Sequence, residues 1–270
     1  MAIFQGNIGF IGCGNMAGAI LGSLLRSGEI AADRLTIYDV DRQKCAPYAQ
    51  KGIHIVESIE EIASTCDMIF LCVKPQVYPE VLSILRGKVR PAQLLISIAA
   101  GISTAYIKKA LGICAKVVRV MPNTPMLLGA GAIALCRVEP VSEVEFEQVA
   151  AIFALSGQTA VIEEAQMDAI ISVNGSSPAY VYLFAKAVAD CAGEQGIDEQ
   201  VALKLFCQTL IGAAKMMLAS GQTPDELIDM VSSPGGTTLA ALDSLSRNGF
   251  TRCVREAMLA CTKRAEELGK

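Results

Sequence analysis

A short apolar run over residues 7–11 passes directly into Gly12-Cys13-Gly14-Asn15-Met16-Ala17-Gly18, and a stretch with helical spacing follows over residues 16–27. Strand, glycine turn and helix in that order restrict the chain to few folds. Gly12 permits the tight turn. Gly14 carries no Cβ to keep a phosphate from the amides at the helix start, and Ala17 is small enough for the helix to lie close on the strand. The pattern is GxGxxA in the setting that a dinucleotide-binding βαβ unit requires. A glycine-rich turn without a ligand is the plainer reading, and its place at the head of an alternating series argues against it.

That series runs on for about 160 residues. Apolar runs over 35–38, 53–56, 68–73, 94–98 and 117–120 alternate with helical stretches such as 43–51. Runs apolar on both faces and separated by helices predict a doubly wound parallel α/β sheet. Weaker strand candidates at 130–136 and 159–162 flank a helical stretch at 142–155. After Glu163 the strand signal stops. Tyr180, Phe184, Ala187, Val188 and Cys191 keep a 3.6-residue spacing. So do Phe250, Cys253, Val254, Ala257, Met258, Cys261 and Ala265. Residues 201–218 are apolar on nearly every face, which requires burial. A domain of this size cannot bury such a helix alone, so a second subunit is expected to cover it. The expected domains are 1–162, a Rossmann unit, and 163–270, helical and dimerising.

Composition narrows the function. Hydrophobic residues make up 52% of the chain, enough for a core, and the net charge is −4 with no basic run longer than a pair. That argues against a nucleic-acid surface. No apolar run reaches membrane-span length, and the first 25 residues contain neither Lys nor Arg, so neither a membrane segment nor a secretory signal is expected. Ten cysteines without a CxxC pair read as reduced thiols, hence a cytoplasmic location. The one histidine, His54, leaves little room for a zinc site or a Ser-His-Asp arrangement; it is read as structural, and no metal is expected.

Ribose selection belongs at the end of the second strand, at Tyr38-Asp39-Val40-Asp41-Arg42. Asp39 suits a 2′-hydroxyl and so NADH, whereas Arg42 suits the 2′-phosphate of NADPH. Asp41 reads equally as a helix N-cap. Further segments fall where strand ends meet ligand: Val73-Lys74-Pro75, Ala99-Ala100-Gly101 and Met121-Pro122-Asn123-Thr124-Pro125. Two more lie in the helical half, Gly175-Ser176-Ser177-Pro178-Ala179-Tyr180 and Val231-Ser232-Ser233-Pro234-Gly235-Gly236-Thr237-Thr238. The last joins free amides, a helix dipole and hydroxyls, a combination suited to a small carboxylate.

Together with Gly9-Phe10-Ile11-Gly12 and Ser97-Ile98, these segments make the chain similar, nearly end to end, to the pyrroline-5-carboxylate reductase family. The resemblance implies a Rossmann domain and a helical dimerisation domain in a homodimer or larger homo-oligomer. It implies an active site between one subunit's cofactor and its partner's helices, and hydride transfer from NADPH or NADH to C5 of 1-pyrroline-5-carboxylate, giving L-proline. It places the substrate carboxylate on Val231, Ser233, Gly235, Gly236, Thr237 and Thr238, with Thr238 bonding the ring nitrogen. It places Gly12, Gly14, Asn15 and Met16 on the pyrophosphate, Ala99, Ala100 and Gly101 on the nicotinamide, and Val73, Lys74, Pro75, Asn123 and Pro125 near the cofactor. Asp39 stands where the family often has a small polar residue. A cyclic imine protonates readily, so placement and polarisation do the work without a strong acid from the protein.

Two other readings stand beside this one. A catalytically silent dinucleotide-binding module would need the glycine fingerprint but no carboxylate loop. A β-hydroxyacid or phosphogluconate-type dehydrogenase would make Lys186 the acid–base residue.

Overall fold

The computed structural model describes residues 3–269; the outermost bounds of the two expected domains lie outside them. Among these residues eight strands form one sheet: β1 (Ile8–Ile11), β2 (Leu35–Tyr38), β3 (His54–Ile55), β4 (Met68–Leu71), β5 (Leu94–Ser97), β6 (Lys116–Met121), β7 (Gly131–Arg137) and β8 (Gly157–Val161). Their order is β3-β2-β1-β4-β5-β6-β7-β8. Each falls within or beside an apolar run, the two weaker candidates included. The reversal between β1 and β4 is the switch point at which open α/β sheets bind ligands. Every pairing is parallel except that of β7 with β6. The connection over 122–130 holds a short 3₁₀ turn, Thr124–Leu128, and no crossover helix, so β7 returns alongside β6 in the opposite sense.

The helices are α1 (Asn15–Ser27), α2 (Arg42–Ala49), α3 (Ile59–Thr65), α4 (Tyr78–Leu85), α5 (Thr104–Leu111) and α6 (Glu143–Ala154), then α7 (Ser177–Glu194), α8 (Glu199–Ala219), α9 (Pro224–Met230), α10 (Thr237–Arg247) and α11 (Phe250–Leu268). Alternate strand residues feed two cores. Ile8, Phe10, Met68 and Phe70 pack on one face with Leu21, Leu24 and Phe153. Ile11, Ile69 and Leu71 pack on the other with Ile62, Leu82 and Ile107. Phe10 and Phe70 stack with ring centroids 4.6 Å apart. Each fully buried side chain of this size contributes about 1.5–3 kcal/mol, which holds the strand ends in register.

By contacts the chain forms two compact units: residues up to Pro178 together with those from Leu259 onward, and residues Ala179–Met258. A third core explains the first unit's extent, because Met167, Ile171 and Ala265 pack with Met121, Ala134 and Cys136. The segment just after β8 and the end of α11 are thereby tied to the sheet.

The second unit shows an unusual surface. In α7 the buried residues are Ala185, Ala189 and Ala192, while Phe184 of the sequence stripe is 43% exposed. No residue of α8 is buried, and Phe250 and Val254 of α11 are exposed. The expectation that no segment reaches membrane-span length is corrected: α8 is long and apolar enough by length and composition. A search for unbroken apolar runs passes over it, because Lys204, Gln208 and Lys215 interrupt its sequence. His54 opens edge strand β3 and is exposed.

Candidate functional site

Two clefts adjoin along the carboxyl ends of the strands, both within the first unit. One, of about 350 Å³, is lined by Gly12, Gly14, Tyr38, Asp39, Val40, Lys44, Val73, Lys74, Glu80 and the apolar side chains Ile59, Val77, Val81 and Ile84. The other, of about 460 Å³, is lined by Gly14, Asn15, Met16, Val73, Lys74, Pro75, Ala99, Ala100, Met121, Pro122, Ile171, Gly175 and Ser176. Gly14, Cys72, Val73 and Lys74 belong to both, so the clefts form one groove with the glycine loop at its middle.

The loop's geometry follows from its glycines. Gly12 has φ +95°, and a Cβ there would stand 2.6 Å from the Cys72 carbonyl oxygen. Gly14 is the N-cap of α1, which starts without a side-chain cap. A Cβ on Gly14 would meet nothing within 4 Å, so it would project into the open groove. An uncapped helix start facing a groove is a ready anion site, and the dipole favours negative charge there. A dinucleotide's pyrophosphate fits this cradle. Lys74 lines both clefts and adds a positive charge to the groove.

Asp39 ends β2 nearly buried. Its Oδ2 accepts from the Cys13 amide at 2.7 Å and its Oδ1 from the Asp41 amide at 2.9 Å. Asp41 caps α2 by accepting from the Gln43 amide, as its N-cap reading anticipates. Arg42 is not among the residues lining the two clefts. Its guanidinium donates to the Val56 carbonyl at 2.6 Å, pairs with the Glu57 carboxylate and lies over the Tyr38 ring. The groove-lining cation beside Asp39 is Lys44, whose Nζ lies 3.8 Å from Asp39 and 3.7 Å from Asp41. Sequence reasoning missed Lys44; its signal was its position three residues after the Asp41 cap, one turn along α2.

Cys13 is buried beside the loop. Burial first, then Cys45 and Asp39, push its thiol up to about 12, so it packs as a neutral hydrophobe. Gly101, Asn123 and Pro125 also stand outside the linings of the two clefts. Gly101, with φ +78°, lets the Ala265 carbonyl of α11 approach so closely that a Cβ would sit 2.4 Å from it. Asn123 brackets two segments, accepting from the Ala132 amide at 2.9 Å and donating to the Asn174 carbonyl at 3.1 Å. Asn174 in turn donates to the Met121 and Ala132 carbonyls. Arg119, buried on β6, pairs with Asp168. Together these bonds hold residues 168–176 against the end of β6, where Ile171, Gly175 and Ser176 line the groove.

The loop before α10 lies in the second unit. Gly236 donates to the Ser233 carbonyl at 3.0 Å, closing a turn, and Gly235 has φ +72°. Gly236 caps α10 without a side-chain bond. Val231, Ser233, Gly235 and Thr237 are exposed, and Thr238 is half-buried. The loop is a second uncapped helix start, framed by hydroxyls. Lys186 of α7 pairs with Asp190, whose carboxylate raises the lysine's pKa above its ordinary value. A proton acceptor at neutral pH needs the opposite shift.

Comparison with known proteins agrees with this architecture. A model described as pyrroline-5-carboxylate reductase dimerisation matches residues 164–268, and one described as NADP oxidoreductase coenzyme F420-dependent matches residues 7–101. Pyrroline-5-carboxylate reductase of Escherichia coli (strain K12) is 41% identical over 264 residues, which cover 97% of this chain and 98% of that one. Its Pseudomonas aeruginosa counterpart is 39% identical, covering 97% of each. The crystal structure of Plasmodium falciparum pyrroline carboxylate reductase with NADP bound aligns with a TM-score of 0.90 at 31% identity, covering 98% of this chain and 99% of that one.

Proposed function

The chain belongs to the pyrroline-5-carboxylate reductase family, and from that premise we propose how its own residues divide the reaction. It is a pyridine-nucleotide-dependent oxidoreductase acting on a cyclic imine, and it carries out the last step of proline biosynthesis, 1-pyrroline-5-carboxylate to L-proline. The reduced nicotinamide supplies the hydride when bound.

The protein supplies placement. Gly12, Gly14, Asn15 and Met16 hold the pyrophosphate at the start of α1, and Lys74 offsets its charge. Val73 and Pro75 flank it, and Ala99 and Ala100 bear on the nicotinamide. Gly101, Asn123 and Pro125 act from behind the groove by fixing its backbone. Asp39 receives the adenosine ribose. Its nearly buried carboxylate repels a 2′-phosphate and accepts from a 2′-hydroxyl, which favours NADH, with Lys44 moderating that preference while Arg42 is held by Glu57. Val231, Ser233, Gly235, Gly236 and Thr237 hold the substrate carboxylate through amides and hydroxyls. Thr238 hydrogen-bonds the ring nitrogen. The observation that carries this reading is the open cradle at Gly14, set before an uncapped helix where the two clefts of one groove meet.

Residues 163–270 form the dimerisation and substrate-binding domain of a homo-oligomer. The exposed apolar residues of α7, α8 and α11 support pairing with a second copy through these helices rather than insertion in a membrane: Lys204, Gln208 and Lys215 punctuate α8. The ten unpaired thiols support a cytoplasmic location.

Steady-state reduction of 1-pyrroline-5-carboxylate at neutral pH, with NADH and NADPH side by side, tests the proposal. Imine-dependent oxidation with NADH preferred is the expected result. NADPH preferred by an order of magnitude would remove Asp39 from the ribose. No oxidation of either nucleotide by protein that binds one would leave the silent binding module.

A further inference from the structure

Resting on the cofactor placement above, we propose that Ser176 grips the nicotinamide carboxamide and thereby fixes which face of the ring meets the substrate. The cleft of about 460 Å³ has a divided chemistry. Asn15 and Lys74 stand beside Gly14 at its phosphate end. The far end is built from Ala99, Ala100, Met121, Pro122 and Ile171, all apolar. Ser176 is the hydroxyl in that apolar wall.

Ser176 is also held. Its amide donates to the Ile171 carbonyl at 2.8 Å, and its Oγ accepts from the thiol of Cys261, on α11, at 3.3 Å. One lone pair is therefore engaged, while the hydroxyl proton and the second lone pair stay available. A primary carboxamide offers one acceptor oxygen and two N–H donors. Carried into an apolar wall with no partner, it forfeits hydrogen bonds it made in water. A hydroxyl fixed from behind is the smallest group that satisfies it.

The consequence reaches the hydride. Dihydronicotinamide carries two hydrogens at C4, one per face, and a half-turn of the ring about its glycosidic bond exchanges them. Contacts with Ala99 and Ala100 grip either face alike; pinning the carboxamide does not. Ser176 thus selects one of the two orientations, and Cys261 ties that selection to the end of α11.

The test uses the full-length protein and two ligands. NADH binding is followed by nicotinamide fluorescence without imine, and ADP-ribose, which lacks the nicotinamide, competes as the control. Ser176→Ala is expected to weaken NADH about fivefold, the effect of one neutral hydrogen bond, and to leave ADP-ribose unchanged. With NADH deuterated on one face at C4, the variant mixes label between product and nucleotide where the parent protein keeps it on one side. Ser176→Thr restores both readouts. Should Ser176→Ala fold poorly, Ser176→Cys, with its weaker donor, moves both readouts the same way. Equal effects on NADH and ADP-ribose, or an unchanged label, overturn the assignment. Lack of imine reduction by the parent protein, with the NADH to ADP-ribose ratio still responding to Ser176→Ala, overturns the reductase reading and upholds Ser176.

Discussion

The carboxylate of Asp39 accepts the backbone amide of Cys13 at 2.7 Å, tying the end of β2 to the glycine loop that follows β1. In the function proposed above, Asp39 reads the ribose and the loop receives the pyrophosphate, so one side chain would carry both selectivity and loop shape.

Asp39→Ser separates the two roles. Removing the carboxylate relieves repulsion of a 2′-phosphate, so the NADPH to NADH ratio of kcat/KM should rise by about tenfold, about 1.4 kcal/mol. The Cys13 amide loses its acceptor in a buried setting, and stability should fall by about 1–3 kcal/mol. Asp39→Asn keeps an acceptor oxygen, so it should shift the ratio at a smaller loss of stability. Kinetics with both nucleotides and urea unfolding of each variant check this. An unchanged ratio in both variants would mean that Asp39 serves the loop alone.

Glu164 makes a second joint. Its carboxylate accepts from the Thr104 amide and hydroxyl, each at 2.7 Å, and so anchors the segment after β8 to the start of α5. Glu164→Ala should cost about 1.5–3 kcal/mol, the range of hydrogen bonds to a charged group. The urea midpoint should fall with the m-value unchanged. A loss below about 0.5 kcal/mol would show that the segment stays in place without this anchor.

What the sequence disclosed and what it withheld divide by the range of the interaction. The strands were legible because a strand buried on both faces must be apolar throughout, as in Met68–Leu71. Gly12 was legible because its backbone angle and the nearby Cys72 carbonyl exclude a Cβ. Arg42 was half legible: its charge is plain in the sequence, but its pairing with Glu57, outside its own helix, is not. Lys44 was overlooked because its place one turn after the Asp41 cap reads equally as that of a solvated lysine. In α7 the spacing of Tyr180, Phe184 and Val188 disclosed a helix but not its buried side, since an apolar stripe covered by another subunit and one covered within the chain share a single pattern. The brackets made by Asn123 and Asn174 connect residues far apart in sequence, and no periodicity reports them.

Lys186 tests the dehydrogenase alternative. Its hydrogen bond and charge pairing with Asp190 raise its pKa, so it stays protonated throughout the neutral range. As an acid–base residue it would have to exchange its proton near the working pH. Lys186→Ala should therefore keep imine reduction within about twofold, and the pH profile between 6 and 9 should keep its shape. A loss of a hundredfold, or the disappearance of one limb of the profile, would restore the lysine to the chemistry.

Thr238 is the residue assigned to the ring nitrogen. It is the second residue of α10 and half-buried within its unit, so truncation should leave unfolding nearly unchanged, within about 0.5 kcal/mol. Losing one hydrogen bond in the transition state costs about 0.5–1.5 kcal/mol, roughly a two- to twelvefold fall in kcat/KM for the imine. The KM for the nucleotide should not move, because the loop bears on the substrate. Thr238→Ser keeps the hydroxyl and should recover most of the loss. If both variants fall alike, the missing methyl rather than the hydroxyl is responsible, and Thr238 packs beside the substrate instead of bonding its nitrogen. If neither falls, Thr238 lies outside the site, and the carboxylate loop acts through Ser233 and the amides at the start of α10.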